Sequence, residues 1–151
     1  FSATFFGGAG AGVNHVGSYS LTGASITEFI GTAVLLWGVL ASGDSRNLGL
    51  VNNMGPFLVG GVVLAIGLSL GGPSGYAINP ARDFGPRLFG AIVGTKGLFD
   101  NIYWLVAPII MTLLGGVVGA VTYDIFVTPG LLAKARAAAA EVGGTTVVEQ
   151  K

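Results

Sequence analysis

The pentapeptide Asn79-Pro80-Ala81-Arg82-Asp83 places a permanent cation in the apolar part of the chain. A charge there is costly unless it faces protein or a water-filled cavity, so its default reading is functional. Asn79 is a good N-cap and Pro80 a good first helical residue, which predicts a helix start. The free N–H groups and the partial positive charge of that helix gather at its N-terminus. Arg82, one turn in, adds several donors. Just before it, Ser74-Gly75-Tyr76-Ala77-Ile78 reads as extended and too short to cross a membrane. Carbonyls of such a loop lack helical partners and can accept hydrogen bonds from hydroxyls or water along a path. A cation or proton would be repelled there, whereas a neutral hydrogen-bonding solute would not. The alternative is a re-entrant stop with Arg82 snorkelling to headgroups.

The other polar side chains are few. Glu28 and Thr32 fall i,i+4 on one helix face. A buried Glu28 could accept N–H groups from the irregular loop, and an interfacial one would simply reach water. Asp83 and Arg87 share the same spacing, and a local ion pair at the helix mouth is the plainest account. Asp124 reads as interfacial and His15 as an ordinary loop histidine. Trp37, Tyr103 and Trp104 read as interfacial belt residues. Gly8-Ala9-Gly10-Ala11-Gly12 follows no clear strand and lacks the P-loop lysine, which argues against a nucleotide site.

Composition sets the solvent. The 151 residues are 52% hydrophobic and 9% charged, with 27 glycines, whereas a soluble domain carries about 25% charged residues. A membrane is therefore the expected surrounding. Lys+Arg and Asp+Glu both total 7, which argues against nucleic acid as a partner. Cysteine is absent, so no disulfide and no Cys-based metal site is available. No metal, cofactor or catalytic residue is expected. Position 1 is Phe, and with no signal peptide visible the expectation is a chain lacking an upstream portion.

A membrane span needs ~20 residues. Segments of about 22–41, 51–70 and 102–126 meet that length, with Pro56 near the second start and Asn52 or Asn53 as its cap. The segment of about 80–93 is too short to span and reads as a half-helix. Residues 1–24 read as an extramembrane loop. Gly115-x-x-x-Gly119 offers a close-packing face. Pro129-Gly130 is expected to end the membrane region. Residues 131–142 then form a short helix, and the rest of the 127–151 tail is disordered. The fold class is thus an all-α membrane protein with three spans and one re-entrant half-helix. Lys and Arg placement marginally favours a cytoplasmic C-terminus.

The run from Gly75 to Arg87 resembles the second Asn-Pro-Ala segment of the major intrinsic proteins, the aquaporins, and most closely their aquaglyceroporin (glycerol facilitator) branch. The resemblance implies that residues 25–126 are the second of two inverted repeats. It implies a path lined by Gly67, Gly75, Tyr76, Ala77, Asn79 and Arg82, with Asn79, Pro80 and Ala81 opening the half-helix. Arg82 would be the filter arginine, Tyr76 the filter aromatic and Glu28 the brace of the loop. Asp83, Arg87, Pro108 and Ile109 match the glycerol pattern. Gly67 stands where water-selective members usually carry a histidine, which implies a wider constriction. The implied function is passive conduction of glycerol, other small neutral solutes and water, in the lipid of the plasma membrane, as a homotetramer when complete. Two rivals remain: a truncated, non-conducting fragment needing a separate N-terminal half, and a soluble all-α enzyme with an unusually apolar core.

Overall fold

The computed structural model describes residues 20–46 and 54–148, with side chains as far as Glu141. His15, the Gly8–Gly12 run, Asn52 and Asn53 lie outside the described residues. Those that are described fold entirely into helices and connecting turns.

Helix α1 runs Leu21–Gly43. It starts where Ser20 Oγ accepts the Gly23 N–H at 3.0 Å, which satisfies one of the donors a helix leaves open. Helix α2 runs Gly55–Leu70, with Pro56 in its first turn and no side-chain cap from Met54. At 1.5 Å per residue its 16 residues extend about 24 Å, less than the ~30 Å of a bilayer core. Helix α3, Pro80–Ile92, is shorter still at 13 residues. Gly94, at φ 93°, ends it in the left-handed turn that glycine allows, with Thr95 N–H reaching back to Gly90 O.

The last helical run is compound. A short turn, α4 (Tyr103–Leu105), leads into a wide π-helical segment, Val106–Met111, and then into α5, Thr112–Phe126. Pro108 lies in the π segment, and its missing N–H removes one rung of the α ladder. Helix α6, Thr128–Val148, restarts after the single residue Val127. The helical path thus continues through Pro129-Gly130, where the membrane region was expected to end. Pro129 sits in the first turn of α6, where no N–H is required. The tail is also helical from Thr128 to Val148, rather than only over 131–142.

The α1–α5 pair forms the body of the fold, with α2 on another side of α1 and the π segment also touching α1. Glycines set the spacing. A Cβ at Gly115 would collide with the Phe29 carbonyl, and one at Gly119 would lie 2.6 Å from Ala33 O. The backbones of α1 and α5 touch there, as small residues permit in membrane helices. Trp37 Nε1 donates to Thr122 Oγ1 at 2.9 Å, which ties the same two helices together nearer their far ends. Two runs are long and apolar enough to cross a membrane among the described residues, Leu21–Gly43 and Tyr103–Glu141.

Candidate functional site

Residues 71–79 turn away from the end of α2 and lead into α3 without regular structure. Their backbone is strained. Gly75, Tyr76 and Ile78 have φ of 86°, 44° and 43°. Left-handed geometry suits glycine, but in Tyr and β-branched Ile it costs energy that the surroundings must offset.

Glu28 supplies much of that offset. It is fully buried on α1 and accepts from Ser74 Oγ at 2.5 Å, Ala77 N–H at 2.7 Å and Ile78 N–H at 2.7 Å. Three donors on one carboxylate fix both the side chain and the loop. Thr32, one turn on, turns its hydroxyl back to Glu28 O and takes no part. Ile78 is buried beside Gly31 and Ile66, where a Cβ on Gly31 would be 3.2 Å from both side chains.

Tyr103 holds the other flank of the loop. Its hydroxyl donates to Ser74 O at 2.7 Å, and the residue is only 2% exposed. The interfacial reading of Tyr103 is therefore corrected: the ring packs with Ala24 and Ala107 inside the fold. Trp104 is half-buried in a cluster with Phe84 and Phe99. Ser74 and Tyr103 are the two site residues that sequence reasoning missed. Their one available signal is weak: Tyr103 lies four residues before the small Ala107, on the same helix face.

The helix N-terminus faces the same loop. Asn79 Oδ1 accepts the Ala81 and Arg82 N–H groups at 2.9 and 3.3 Å, and Asn79 itself is exposed. Arg82 folds back so that Nη1 reaches Gly75 O at 3.3 Å. Its guanidinium carbon stands 5.0 Å from the Tyr76 ring centroid, within cation–π range. The same ring lies against α2. A Cβ at Gly67 would meet the Tyr76 ring at 3.2 Å, and one at Gly71 would meet Tyr76 Cδ1 at 2.7 Å. A groove of about 440 Å³ opens beside the ring, lined by Gly60, Val63, Leu64, Gly67, Leu68 and Tyr76. The space that Gly67 leaves open is thus taken up by the Tyr76 ring.

The remaining residues stand further off. Asp83 and Arg87 form a buried ion pair at 2.8 Å, and Arg87 Nη1 donates to Leu98 O at 2.6 Å. The local i,i+4 pair expected at the helix mouth forms, with Asp83 in the first turn of α3, and it is buried and ties α3 to the 94–101 loop. Pro108 is buried and Ile109 half-buried in the π segment. At the end of α1, Asp44 takes two side-chain bonds from Arg46 and one from the Tyr123 hydroxyl. The Arg46 bonds hold the Asp44 carboxyl well below its ordinary value, at about 2.

A strained carbonyl loop braced from within, beside a capped helix N-terminus and an arginine, in an apolar helical frame, defines a helical membrane protein with a polar interruption. The family described as Major intrinsic protein matches residues 5–123. A probable glycerol uptake facilitator protein of Thermotoga maritima is 52% identical over 102 residues, covering 66% of this chain and 42% of that protein. Aquaporin-7-1 of Laccaria bicolor is 48% identical over 107 residues, covering 69% of this chain and 32% of that one. The X-ray structure of the aquaglyceroporin from Plasmodium falciparum superposes with a TM-score of 0.70 at 31% identity, over 85% of this chain and 50% of that one. The chain belongs to the major intrinsic protein family and is an integral membrane protein. It spans less than half the length of these two curated relatives.

Proposed function

We propose that the chain contributes one side of a passive transmembrane channel for glycerol, other small neutral solutes and water. The observation that carries this reading is Arg82, which shares the Gly75 carbonyl and the Tyr76 ring face at the N-terminus of α3. The named functions of the relatives support it.

In this mechanism no bond is broken. A solute hydroxyl sheds water and exchanges it for the carbonyls of Gly75, Tyr76 and Ala77, the Asn79 amide and the Arg82 donors. The carbon side of a polyol lies against Tyr76 and the apolar groove wall of Val63, Leu64 and Leu68. Ions and protons meet the positive end of α3 together with Arg82, without enough compensating acceptors to replace their water. In the bilayer, α1 and the Tyr103–Phe126 run cross at full length, α2 crosses where the bilayer thins toward its about 24 Å, and α3 enters part-way from the loop and returns. Asp83, Arg87, Pro108 and Ile109 support the glycerol branch through the resemblance. The complete assembly is a homotetramer in the plasma membrane with a cytoplasmic C-terminus.

The test is stopped-flow swelling of proteoliposomes bearing the chain, alone and together with the N-terminal portion of a glycerol facilitator. Glycerol entry above empty vesicles in either preparation supports the reading. Entry at the empty-vesicle rate in both, with the chain inserted, overturns it.

A further inference from the structure

The Ser74 carbonyl and the Gly75 carbonyl are neighbours with different partners. The first accepts from Tyr103 Oη at 2.7 Å, inside the protein, and the second from Arg82 Nη1 at 3.3 Å. The Ser74 side chain meanwhile donates to Glu28. Residue 74 is thus held at both its carbonyl and its hydroxyl, by groups from two different helical runs. Tyr103 also lies beside the buried Asp83–Arg87 pair, with the Arg87 guanidinium 6.0 Å from its ring centroid. One aromatic residue therefore touches the loop, the arginine that anchors α3 to residue 98, and the core residues Ala24 and Ala107.

From this geometry we infer that Tyr103 is a positioning residue for the path: it pins the Ser74 peptide and so fixes the direction of the Gly75 carbonyl that Arg82 uses. The inference rests on the proposed function for its consequence, but not for its geometry. The peptide plane is rigid, so anchoring one carbonyl constrains the next φ and removes part of the freedom of the following group. Gly75 in particular has no side chain to restrict it, and its φ of 86° is one of several conformations that glycine adopts readily. Glu28 holds the N–H groups of Ala77 and Ile78, which lie beyond Gly75. Tyr103 holds the residue before it. The N–H of the Ser74–Gly75 peptide donates to Gly71 O at 2.8 Å, so Tyr103 supplies the second of two anchors on that peptide, the one at its carbonyl end.

The experiment compares the wild-type chain with Tyr103→Phe, which keeps the ring packed on Ala24 and Ala107 and removes only the donor. Amide hydrogen exchange of the segment 72–80, read by mass spectrometry in detergent, should accelerate by about tenfold, the scale expected for losing one buried hydrogen bond. Exchange in α5 should stay unchanged. The glycerol-to-water permeability ratio in proteoliposomes should fall along with it. Exchange over 72–80 equal to wild type overturns the inference. Faster exchange with an unchanged permeability ratio overturns the role in the path. A wild-type chain that conducts neither solute overturns the proposed function, and the exchange comparison still decides whether Tyr103 braces the loop. If Tyr103→Phe does not accumulate, 3-fluorotyrosine placed at position 103 keeps the shape and strengthens the donor. It should slow exchange over 72–80, and no change would overturn the inference.

Discussion

The Ile78 N–H donates to Glu28 Oε2 at 2.7 Å, joining residues 50 apart in sequence. Ile78 is β-branched and left-handed, with a φ of 43°. Such a residue carries about 1–3 kcal/mol of strain, which must be offset by its surroundings. Here the offset comes from the Glu28 bond and from burial of the side chain beside Gly31 and Ile66. Because Asn79 follows directly, this bond also places the cap of α3.

Glu28→Gln should show the cost of breaking it. The amide offers one acceptor oxygen and turns an NH2 group toward donors. At least one of the Ser74, Ala77 and Ile78 donors then loses its acceptor, at about 1–3 kcal/mol for each buried group left unpaired. Thermal melting in detergent should fall accordingly, and glycerol conduction should drop with it. A variant that melts like wild type would show that the carboxylate does not hold the loop.

The glycine contacts between α1 and α5 give a prediction with its own control. Gly119→Ala would set a methyl 2.6 Å from Ala33 O, against backbone that has no room to move. Overpacking of this kind costs about 1–3 kcal/mol. Gly116→Ala on the neighbouring face meets only Leu36 and Thr32 side chains at 3.8 Å and should be close to neutral. Comparison of the two melting curves tests this directly: equal melting temperatures would mean that the helices do not pack on Gly119.

Why some of this was legible in the sequence and some was not follows from the range of each interaction. Asn79-Pro80 announces a helix start because capping is local, and the structure has Asn79 Oδ1 on the first N–H groups of α3. Helix existence in α1 and α2 is equally visible in their apolar runs. Tyr103 was misread because an aromatic residue near the end of an apolar segment has the same local pattern at an interface as in a core. Only the position of Ser74, 29 residues away, distinguishes the two. The helix expected to begin at residue 131 begins at Thr128 and includes Pro129-Gly130, which local pattern alone does not show because proline ends helices when it falls inside them. Its tolerance in a first turn depends on the helix having already broken at Val127. The burial of Asp83 and Arg87 was likewise hidden, since i,i+4 spacing says that two charges can meet but not what covers them.

Acid should loosen the end of α1 only at low pH. The Asp44 carboxyl titrates at about 2 in the folded chain against an ordinary 3.8, chiefly through the Arg46 bonds. A depressed folded value means that the stabilisation is fully present above the ordinary value and is lost as pH falls through the folded one. Arg46 and the Tyr123 hydroxyl bond the carboxylate, and Asp124 lines the same cavity. Neither Arg46 nor Tyr123 changes charge across this window. The difference in melting temperature between wild type and Asp44→Asn should be constant from pH 7 to about pH 5 and shrink between about pH 4 and pH 2. A difference that disappears already near neutrality would rule out this pairing.

Tyr76 should set the width of the path through its contact with Gly67. In Gly67→Ala the new methyl lies 3.2 Å from the ring, so the ring must shift by a few tenths of an ångström. Arg82 stands 5.0 Å from the ring centroid, and the Gly71 side is closed because Tyr76 already crowds that position. The added methyl therefore pushes the ring away from Gly67 and changes the space beside it. A single methyl in a close-fitting apolar site changes discrimination by about tenfold or more, and glycerol, the larger solute, should lose more permeability than water. Tyr76→Leu in the same background removes the ring and should restore glycerol entry, giving a non-additive double-mutant cycle. Equal losses for glycerol and water, or additive effects of the two substitutions, would mean that Tyr76 does not set the width at this point.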